Sequence, residues 1–395
     1  MNLAPRKISS LVCAGLFSVF SLIMLNAKTD GYIETDLVVN QKVGTIPTLV
    51  DGNGITHIAK FFDPNLVNPW GVGESSTSPF WISDNGASVS TLYNTAGTPQ
   101  SLVVSIPSPG DPLGATGTPT GLVSNIASKQ GAFKISGVTS SNAPVTAAAA
   151  FLFATEDGTI LGWNPTVNPV GFDPAKAGKY AIIAANPPGA QYKGLAIATD
   201  TNGTTRLYAT NFAAGTIDVF DTSFGLVPSI PAFFDPDLPR GYAPFNIVPV
   251  TMNGTTRMFV TYAVRNPQTG DDVAGESHGI VDTFHLDGSM PQRFAQHGQL
   301  NSPWGVALAP SSFGRLRGTL LIGNFGNGHI DAYDPTTGKF IDKVRNSHGQ
   351  AIVIDGLWTI MFGNGGNGGS SNTLYFTAGP NEEEDGLFGS LDPEE

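Results

Sequence analysis

A turn followed by a short apolar strand recurs six times along the chain, and this repeat constrains the fold more than any other feature. The six starts are residues 68–72, 119–123, 192–196, 244–248, 303–307 and 357–361. With Gly71, Gly121, Gly194, Asn246, Gly305 and Thr359 aligned, consecutive starts are 50, 73, 52, 59 and 54 residues apart. Such a period is typical of architectures in which each unit buries its apolar face against its neighbours.

Each start is followed by two further strand-like segments separated by a polar turn, as in residues 80–84 and 89–93. Four short antiparallel strands fit the period, and six such sheets around an axis form a β-propeller. The 48 glycines and 29 prolines agree with this fold, because every sheet requires several hairpin turns. The last unit ends after its third strand, so we expect residues 35–40 to supply its fourth strand and close the ring.

The fold class that we expect is therefore all-β, a single six-bladed β-propeller domain over residues 28–395.

Residues 1–27 are expected to be a secretory signal peptide, since Arg6 and Lys7 precede an uncharged, mostly apolar stretch over residues 8–25. An uncleaved membrane anchor is the alternative for this stretch. We expect an exported protein, periplasmic or secreted, whose mature chain begins near Lys28 with no membrane span and no cysteine.

The formal net charge of −12 excludes one class of partner. Nucleic-acid binding depends on Lys and Arg that neutralise phosphates, and the chain has 20 of these against 32 Asp and Glu. We therefore expect no nucleic-acid partner. The expected partner is a small-molecule, glycan or protein ligand, bound by a monomer.

Several motifs of the repeat resemble one group of proteins. They are N-P-W-G at residues 68–71, S-P-W-G-V-A-L-A-P at 302–310, G-N-F-G at 323–326, D-G-L-W at 355–358 and L-Y-F-T-A-G-P at 374–380. They resemble the NHL and gluconolactonase-like six-bladed propellers and, more closely, an exported bacterial family of NHL-like proteins. The resemblance covers about residues 32–392 and implies a fold but no activity. It departs at Asp385, where a His would precede the G-L-F-G segment.

In a propeller, the loops that begin the first strands meet the loops between second and third strands at one mouth of the axial channel. Polar and aromatic residues in these loops form the candidate ligand site: Asn68, Trp70, Asp84, Asn85, Lys193, Trp304 and Trp358. The same loops carry Asp157, Asn246 and Asp355. No catalytic residue is assigned.

Four residues of this mouth are candidate metal ligands: Glu156, Asn211, Asn324 and Asp84. Carboxylate and amide oxygens suit Ca²⁺, and the gluconolactonase resemblance implies a central ion that activates the substrate. The alternative is that Asn and Asp occupy these turns because they tolerate left-handed backbone and bond to their own chain.

Trp70, Trp304 and Trp358 share one position of the repeat. They would either form a platform for a sugar or another apolar ligand, or pack between neighbouring sheets, which is the commoner role of a repeated large residue.

Two loops would return to the same mouth. Residues 264–278 would form a lid or a mobile surface loop, and the acidic run at residues 382–385 is interpreted as a solvated loop that would also bind cations.

A G-x-S-x-G match around Ser277 has no catalytic meaning, because an alternating strand follows it instead of the helix that a nucleophile elbow requires. The sequence thus favours a binding scaffold with a ligand at the axial mouth. The alternative is a Ca²⁺-dependent hydrolase or lactonase that uses the carboxylates and amides of the same mouth.

Overall fold

The structure is a computed structural model that describes Met1, residues 30–228 and residues 233–394. The predicted signal peptide lies outside the described residues apart from Met1. Regular structure in the described part consists of β-strands and three short 3-10 turns, at Ser128–Gln130, Pro174–Lys176 and Gly314–Leu316. The all-β prediction is confirmed. In the part of the chain that the structure describes, no helix has the length and apolar character needed to cross a membrane.

The strands are numbered in chain order. They are β1 (Tyr32–Val39), β2 (Lys42–Val43), β3 (Ile46–Val50), β4 (Thr56–Ile58), β5 (Phe61–Phe62), β6 (Pro69–Gly73), β7 (Phe80–Asp84), β8 (Val89–Tyr93), β9 (Val104–Ser105), β10 (Pro119–Ser124), β11 (Lys134–Val138), β12 (Pro144–Ala148), β13 (Phe151–Thr155), β14 (Ile160–Trp163), β15 (Ile182–Ala185), β16 (Tyr192–Thr199), β17 (Thr205–Asn211), β18 (Thr216–Phe220), β19 (Tyr242–Met252), β20 (Thr255–Val264), β21 (Ile280–Phe284), β22 (Gln292–Gln296), β23 (Pro303–Leu308), β24 (Leu320–Asn324), β25 (Ile330–Tyr333), β26 (Phe340–Lys343), β27 (Leu357–Phe362), β28 (Leu374–Ala378) and β29 (Leu387–Pro393).

Six main sheets follow one another along the chain. Sheets I, II, IV and V each have four strands, in the orders β6-β7-β8-β9, β10-β13-β14-β15, β19-β20-β21-β22 and β23-β24-β25-β26. Sheet III has three strands, β16-β17-β18, and sheet VI has five, β27-β28-β29-β1-β5. Two small sheets, β2-β3-β4 and β11-β12, are additions that the repeat does not predict.

The N-terminal strand β1 belongs to the last sheet. It pairs antiparallel with β29, from Tyr32 opposite Pro393 to Val39 opposite Leu387. The pairing brings together residues from the two ends of the described chain, and Tyr32 further donates its hydroxyl to Phe313 O at 3.1 Å. Residues from both ends therefore build one sheet.

The first strand of each main sheet contacts the first strand of the next, and β27 contacts β6. Glycine at the repeat position permits this approach: a Cβ on Gly121 would overlap Leu195 N, and one on Gly71 would overlap Thr120 O. Where the position is not glycine, its side chain bonds to the next strand. Asn246 donates to Trp304 O at 2.9 Å, and Thr359 donates to Trp70 O at 2.7 Å.

Apolar clusters fill the spaces between successive sheets. Between sheets I and II, Trp81 stacks on Phe151 with ring centroids 4.1 Å apart. Between sheets VI and I, Phe80 meets Phe388 at 5.3 Å. The other large clusters likewise combine buried apolar side chains from successive sheets.

Candidate ligand-binding site

An aromatic layer lies where the first strands of the main sheets begin, across the line that these six strands surround, which we call the axis. Trp70 stacks on Trp358 with ring centroids 3.5 Å apart, and Phe325 stacks on the same Trp358 at 4.0 Å. Trp304 meets both tryptophans edge to face, at 6.3 and 5.9 Å, and Phe245 meets Trp358 at 5.8 Å. All three tryptophans are buried. They pack against one another across the axis, so their rings are covered in this structure.

Lys193 lies on this layer at the end where the first strands begin. Its Nζ is 5.1 Å from the centroid of the Trp70 ring and contacts Glu156 Oε1. Asn85 donates to the other oxygen of Glu156 at 2.9 Å, and Asp271 Oδ1 lies 3.9 Å from Lys193 Nζ. The Lys193 side chain is only 4% exposed. A buried ammonium that faces an aromatic ring and a carboxylate thus occupies this end of the axis.

Glu383 and Asp272 add two more carboxyl groups to this charged end. Asn68 donates to Glu383 Oε2 at 2.5 Å and accepts from Trp358 Nε1 at 3.0 Å. Burial raises the pKa of Glu383 to about 7, which outweighs the opposite effects of its bond from Asn68 and of the Lys193 charge. Burial also raises the pKa of Asp272. Both carboxyls therefore bind protons more tightly than solvated ones.

The loop that carries Glu383 has an uncommon backbone. Asn381, Glu382 and Glu383 are successive residues with positive φ, at 59, 55 and 70°. Residues other than glycine rarely adopt a positive φ. They keep it where contacts with the surrounding structure stabilise that conformation. Here the Asn381 side chain donates to Asp385 Oδ2 at 2.7 Å, and the Asn381 backbone N–H donates to Asp355 Oδ2 at 3.0 Å. The acidic run is therefore an ordered part of the charged end.

Three of the predicted metal ligands bond within their own hairpins. Asp84 accepts from Thr91 N at 2.9 Å, Asn211 donates to Asp218 at 3.0 Å, and Asn324 donates to Asp331 at 2.8 Å. Each pair spans seven residues and joins the end of a second strand to the third strand. These contacts agree with one part of the turn-forming alternative, bonds to the same chain, but none of the three residues has the left-handed backbone that the alternative also names. The fourth candidate, Glu156, contacts Lys193.

Calcium binding at this end stays a prediction. The Lys193 ammonium already supplies positive charge to the carboxylates that the sequence placed there. Asp157 accepts from Thr118 N at 2.8 Å, and Asp355 accepts from Gly52 N at 2.9 Å, so these two mouth residues also bond to neighbouring backbone.

An open cavity of about 290 Å³ lies further along the axis. Its walls come from the first strands of all six main sheets, which we call the inner strands. The lining positions follow Trp70, Lys193 and Trp358 in their strands, and Trp304 itself is a lining residue. The lining is mainly aliphatic and includes Leu122, Ile197, Ile247, Val306 and Ile360. The position of this cavity was not predicted, because a sequence pattern indicates which strands surround an axis but not how far side chains fill it.

Three polar side chains of the lining already have partners, whereas Oε2 of the lining residue Glu74 is buried without one. Asn246 and Thr359 donate to Trp304 O and Trp70 O, and Ser124 donates to Glu74 O at 2.7 Å. Burial raises the pKa of the Glu74 carboxyl to about 8, so this carboxyl is mostly protonated at pH 7. The cavity therefore offers a ligand mainly apolar contact.

Two proteins of Acanthamoeba polyphaga mimivirus are similar to this chain over most of its length. Uncharacterized protein R648 is 30% identical over 343 residues, which are 85% of this chain and 77% of that protein. Uncharacterized protein L690 is 31% identical over 341 residues, or 85% of this chain and 82% of that protein. The chain belongs to the same family as these two proteins. We call it the R648 family below.

No family model matches the R648 family member described here. The resemblance to an exported bacterial family therefore stays a prediction, while the similarity to the viral proteins is established.

Solved structures give a weaker likeness. Virginiamycin B lyase from Staphylococcus aureus is 13% identical with a TM-score of 0.49, over 92% of this chain and 99% of that one. The PQQ-bound aldose sugar dehydrogenase from Streptomyces coelicolor is 14% identical with a TM-score of 0.47, over 93% of this chain and 100% of that one. At these values the likeness supports no conclusion about activity.

Proposed function

We propose that this member of the R648 family is a closed six-bladed β-propeller in which sheets I to VI are the blades. The support is the sequence of contacts between inner strands, which returns from β27 to β6. The bonds from Thr359 and Thr377 of sheet VI to Trp70 O of sheet I, at 2.7 and 2.6 Å, favour the same arrangement. In this proposal β1 is the fourth strand of the last blade.

We further propose that the propeller is a binding protein for a small, largely apolar molecule held in the axial cavity. The cavity of about 290 Å³ carries this proposal, because it is of the size that small ligands occupy, its lining is mainly aliphatic, and the lining side chains of Asn246 and Thr359 are already bonded. Transfer of apolar surface from water into such a cavity is favourable, whereas a strongly polar ligand would lose hydrogen bonds to water without replacing them.

Binding of N-phenyl-1-naphthylamine, an uncharged apolar dye, tests the proposal. We expect a saturable rise of dye fluorescence with one site per chain and a concomitant quenching of tryptophan emission, since Trp304 lines the cavity. Saturating dye should also raise the melting temperature, because a ligand that binds only the folded state stabilises it.

Val248→Trp, at a half-buried lining position, should weaken dye binding at least about tenfold by filling the cavity. Val170→Trp is the matched control, because Val170 is exposed and does not line the cavity. The absence of saturable binding to the parent protein, or equal binding by both variants, would overturn the proposed function.

A lactonase-like hydrolase is the second candidate, and the Glu383 carboxyl favours it. A carboxyl with a pKa of about 7 beside Lys193 has the protonation equilibrium that general acid–base catalysis at neutral pH requires. In this candidate Glu383 transfers the proton, and Ca²⁺ would be held by Glu156, Asn211, Asn324 and Asp84. Hydrolysis of a sugar lactone with and without Ca²⁺, compared between Glu383→Gln and the exposed neighbour Glu382→Gln, tests it. Equal rates for the two variants would exclude Glu383 as the acid or base.

We also propose that the protein is exported after cleavage near Lys28. The support is the charge and apolar pattern of residues 1–27. N-terminal sequencing of the protein recovered from an expressing culture should start close to Lys28, whereas a chain retained in the membrane with Arg6 and Lys7 would support the anchor alternative.

A further inference from the structure

Four polar side chains meet where β1, the fourth strand of sheet VI, contacts the small sheet β2-β3-β4. Glu34 and Asp36 lie two residues apart on β1, and strand alternation directs such side chains to one face. His57 lies in β4, and Asp51 follows β3 directly. The β1–β29 pair therefore positions Glu34 and Asp36, and the β3–β4 pair positions Asp51 and His57.

Three of them present ligand atoms at short mutual distances. His57 Nδ1 is 3.1 Å from Asp36 Oδ1 and 3.8 Å from Glu34 Oε1, and all three ligand atoms lie within 4.8 Å of one another. Glu34 Oε1 is buried and has no hydrogen-bond partner. One imidazole nitrogen and two carboxylate oxygens therefore converge on a single point, with one oxygen lacking a donor.

Asp51 lies on the other side of the His57 imidazole, near Nε2. Its side chain is fully buried, and its Oδ2 has no hydrogen-bond partner yet lies 3.6 Å from His57 Nε2. The other oxygen, Oδ1, is held by the backbone N–H groups of Asn53 and Ile55 at 3.0 and 2.7 Å. At 3.6 Å the two atoms form no hydrogen bond, but the negative charge of the carboxylate favours a proton on Nε2, which leaves the lone pair of Nδ1 for a metal.

The charge balance points the same way. Three carboxylates surround one imidazole, which supplies at most one positive charge. Within residues 30–228 and 233–394, no Lys or Arg nitrogen forms an ion pair with Glu34, Asp36 or Asp51. Partly desolvated carboxylates are costly without a cation. A divalent ion would supply the charge that the described side chains lack.

We propose that Glu34, Asp36 and His57 bind a divalent transition-metal ion, with Asp51 orienting the imidazole. One nitrogen and carboxylate oxygens suit Zn²⁺ or Mn²⁺, whereas Ca²⁺ prefers six to eight oxygens. Because Glu34 and Asp36 lie on β1 of sheet VI and His57 lies in the small sheet, the ion joins β1 to the small sheet β2-β3-β4. This site is separate from the axis and does not depend on the ligand proposed there.

Titration of the metal-free protein with ZnCl₂ and with MnCl₂ tests the site, with calorimetry and elemental analysis after dialysis as readouts. We expect one ion per chain and a melting temperature that rises with metal and falls again with chelator. Bound Co²⁺ should show the visible absorption bands of a coordinated ion, which report ligation independently of stability. Substoichiometric metal after dialysis together with an unchanged melting temperature would overturn the proposal.

Variants assign the ligands. His57→Gln and Glu34→Gln should each lower the affinity at least about 100-fold, and Asp51→Asn should lower it about 10- to 100-fold through the orientation of His57. His348→Gln, at an exposed histidine outside the cluster, should bind metal like the parent. Glu34→Gln keeps the shape of a partly exposed side chain and so tests ligation even where His57→Gln does not fold. Equal affinity of Glu34→Gln and the parent would contradict the assignment.

Discussion

Lys193 is the residue on which the charged end of the axis depends. Its ammonium is buried on the face of Trp70 and paired with Glu156, and its backbone oxygen accepts the Trp304 indole N–H at 3.1 Å. The side chain thus balances nearby carboxylates while the backbone fixes part of the aromatic layer. Loss of the ammonium alone would leave Glu156 without its charged partner.

Lys193→Met should therefore lower the free energy of unfolding by roughly 3 kcal/mol, near the lower limit for a broken buried pair, because Glu156 is 21% exposed. The double variant with Glu156→Gln should recover a large part of this loss, since the unpaired carboxylate is then absent. Urea unfolding of the double-mutant cycle measures the coupling. Lys129→Met, at an exposed lysine, is the control, and purely additive effects of Lys193→Met and Glu156→Gln would contradict the pairing.

Glu383 gives the stability of the protein a pH dependence. The pKa of this carboxyl is raised from 4.5 to about 7 by folding, so the folded state binds the proton more tightly than the unfolded state. The resulting stabilisation is complete below about pH 4.5 and is lost as the pH rises through about 7.

Glu383→Gln should remove this loss, because the amide does not ionise and its oxygen still accepts from Asn68. Relative to the parent, the variant should gain up to about 3 kcal/mol between pH 4 and pH 8. Denaturant unfolding at both pH values measures the difference. Glu382→Gln is the control next to it, and a difference from the parent that does not change with pH would exclude the raised pKa.

At the scale of elements, β1 determines how sheet VI is completed. Val38 is fully buried and lies in the apolar cluster that contains Phe80 and Phe388, whereas Ile33 in the same strand is 50% exposed. The strand thus contributes both ladder hydrogen bonds to β29 and apolar contacts to sheet I.

Val38→Asp should lower the free energy of unfolding by at least about 3 kcal/mol, because it removes a buried apolar side chain and places a carboxylate in an apolar cluster. Ile33→Asp should change it by less than about 0.5 kcal/mol, as for exposed positions in general. Thermal and urea unfolding compare the two variants, and similar losses for both would contradict the packing of β1 described here.

The sequence could predict the strands but only part of their contacts. The repeat and its turn residues predict β7, β8 and β13, because equivalent segments recur in the other units. The β11-β12 hairpin could not be predicted, since it lies inside the longest repeat interval and matches no other unit. The loop positions of Lys193 and Asn68 predict them as site residues. The sequence predicts a solvated Glu383 instead, because the burial of this residue depends on a loop conformation that local propensity does not favour.

At the scale of the molecule, the glycines of the inner strands set the distance between neighbouring sheets. Gly121 leaves no room for a Cβ beside the backbone of Leu195, while Gly110 has open space around it. Gly121→Ala should therefore lower the free energy of unfolding by roughly 1–3 kcal/mol through overpacking.

Gly110→Ala is the matched control and should leave stability unchanged within about 0.5 kcal/mol. The comparison by urea unfolding distinguishes close approach of the strands from a general effect of added side chains. Similar stability of the two variants would mean that the inner strands separate at little cost.

The stacked pair of Trp70 and Trp358 joins the first and the last sheet, whose residues are nearly 300 positions apart in the chain. Indole rings stacked at this distance couple their electronic transitions, which produces a paired positive and negative band in circular dichroism. The Trp304–Trp358 and Trp81–Trp163 pairs contribute bands of their own, at centroid distances of 5.9 and 4.7 Å. The part of the signal that a Trp70→Phe variant lacks can therefore arise only after Trp70 of sheet I has met the tryptophans of sheets V and VI. During refolding, the appearance of these Trp70-dependent bands would therefore report when sheets I and VI come together, separately from the formation of individual strands.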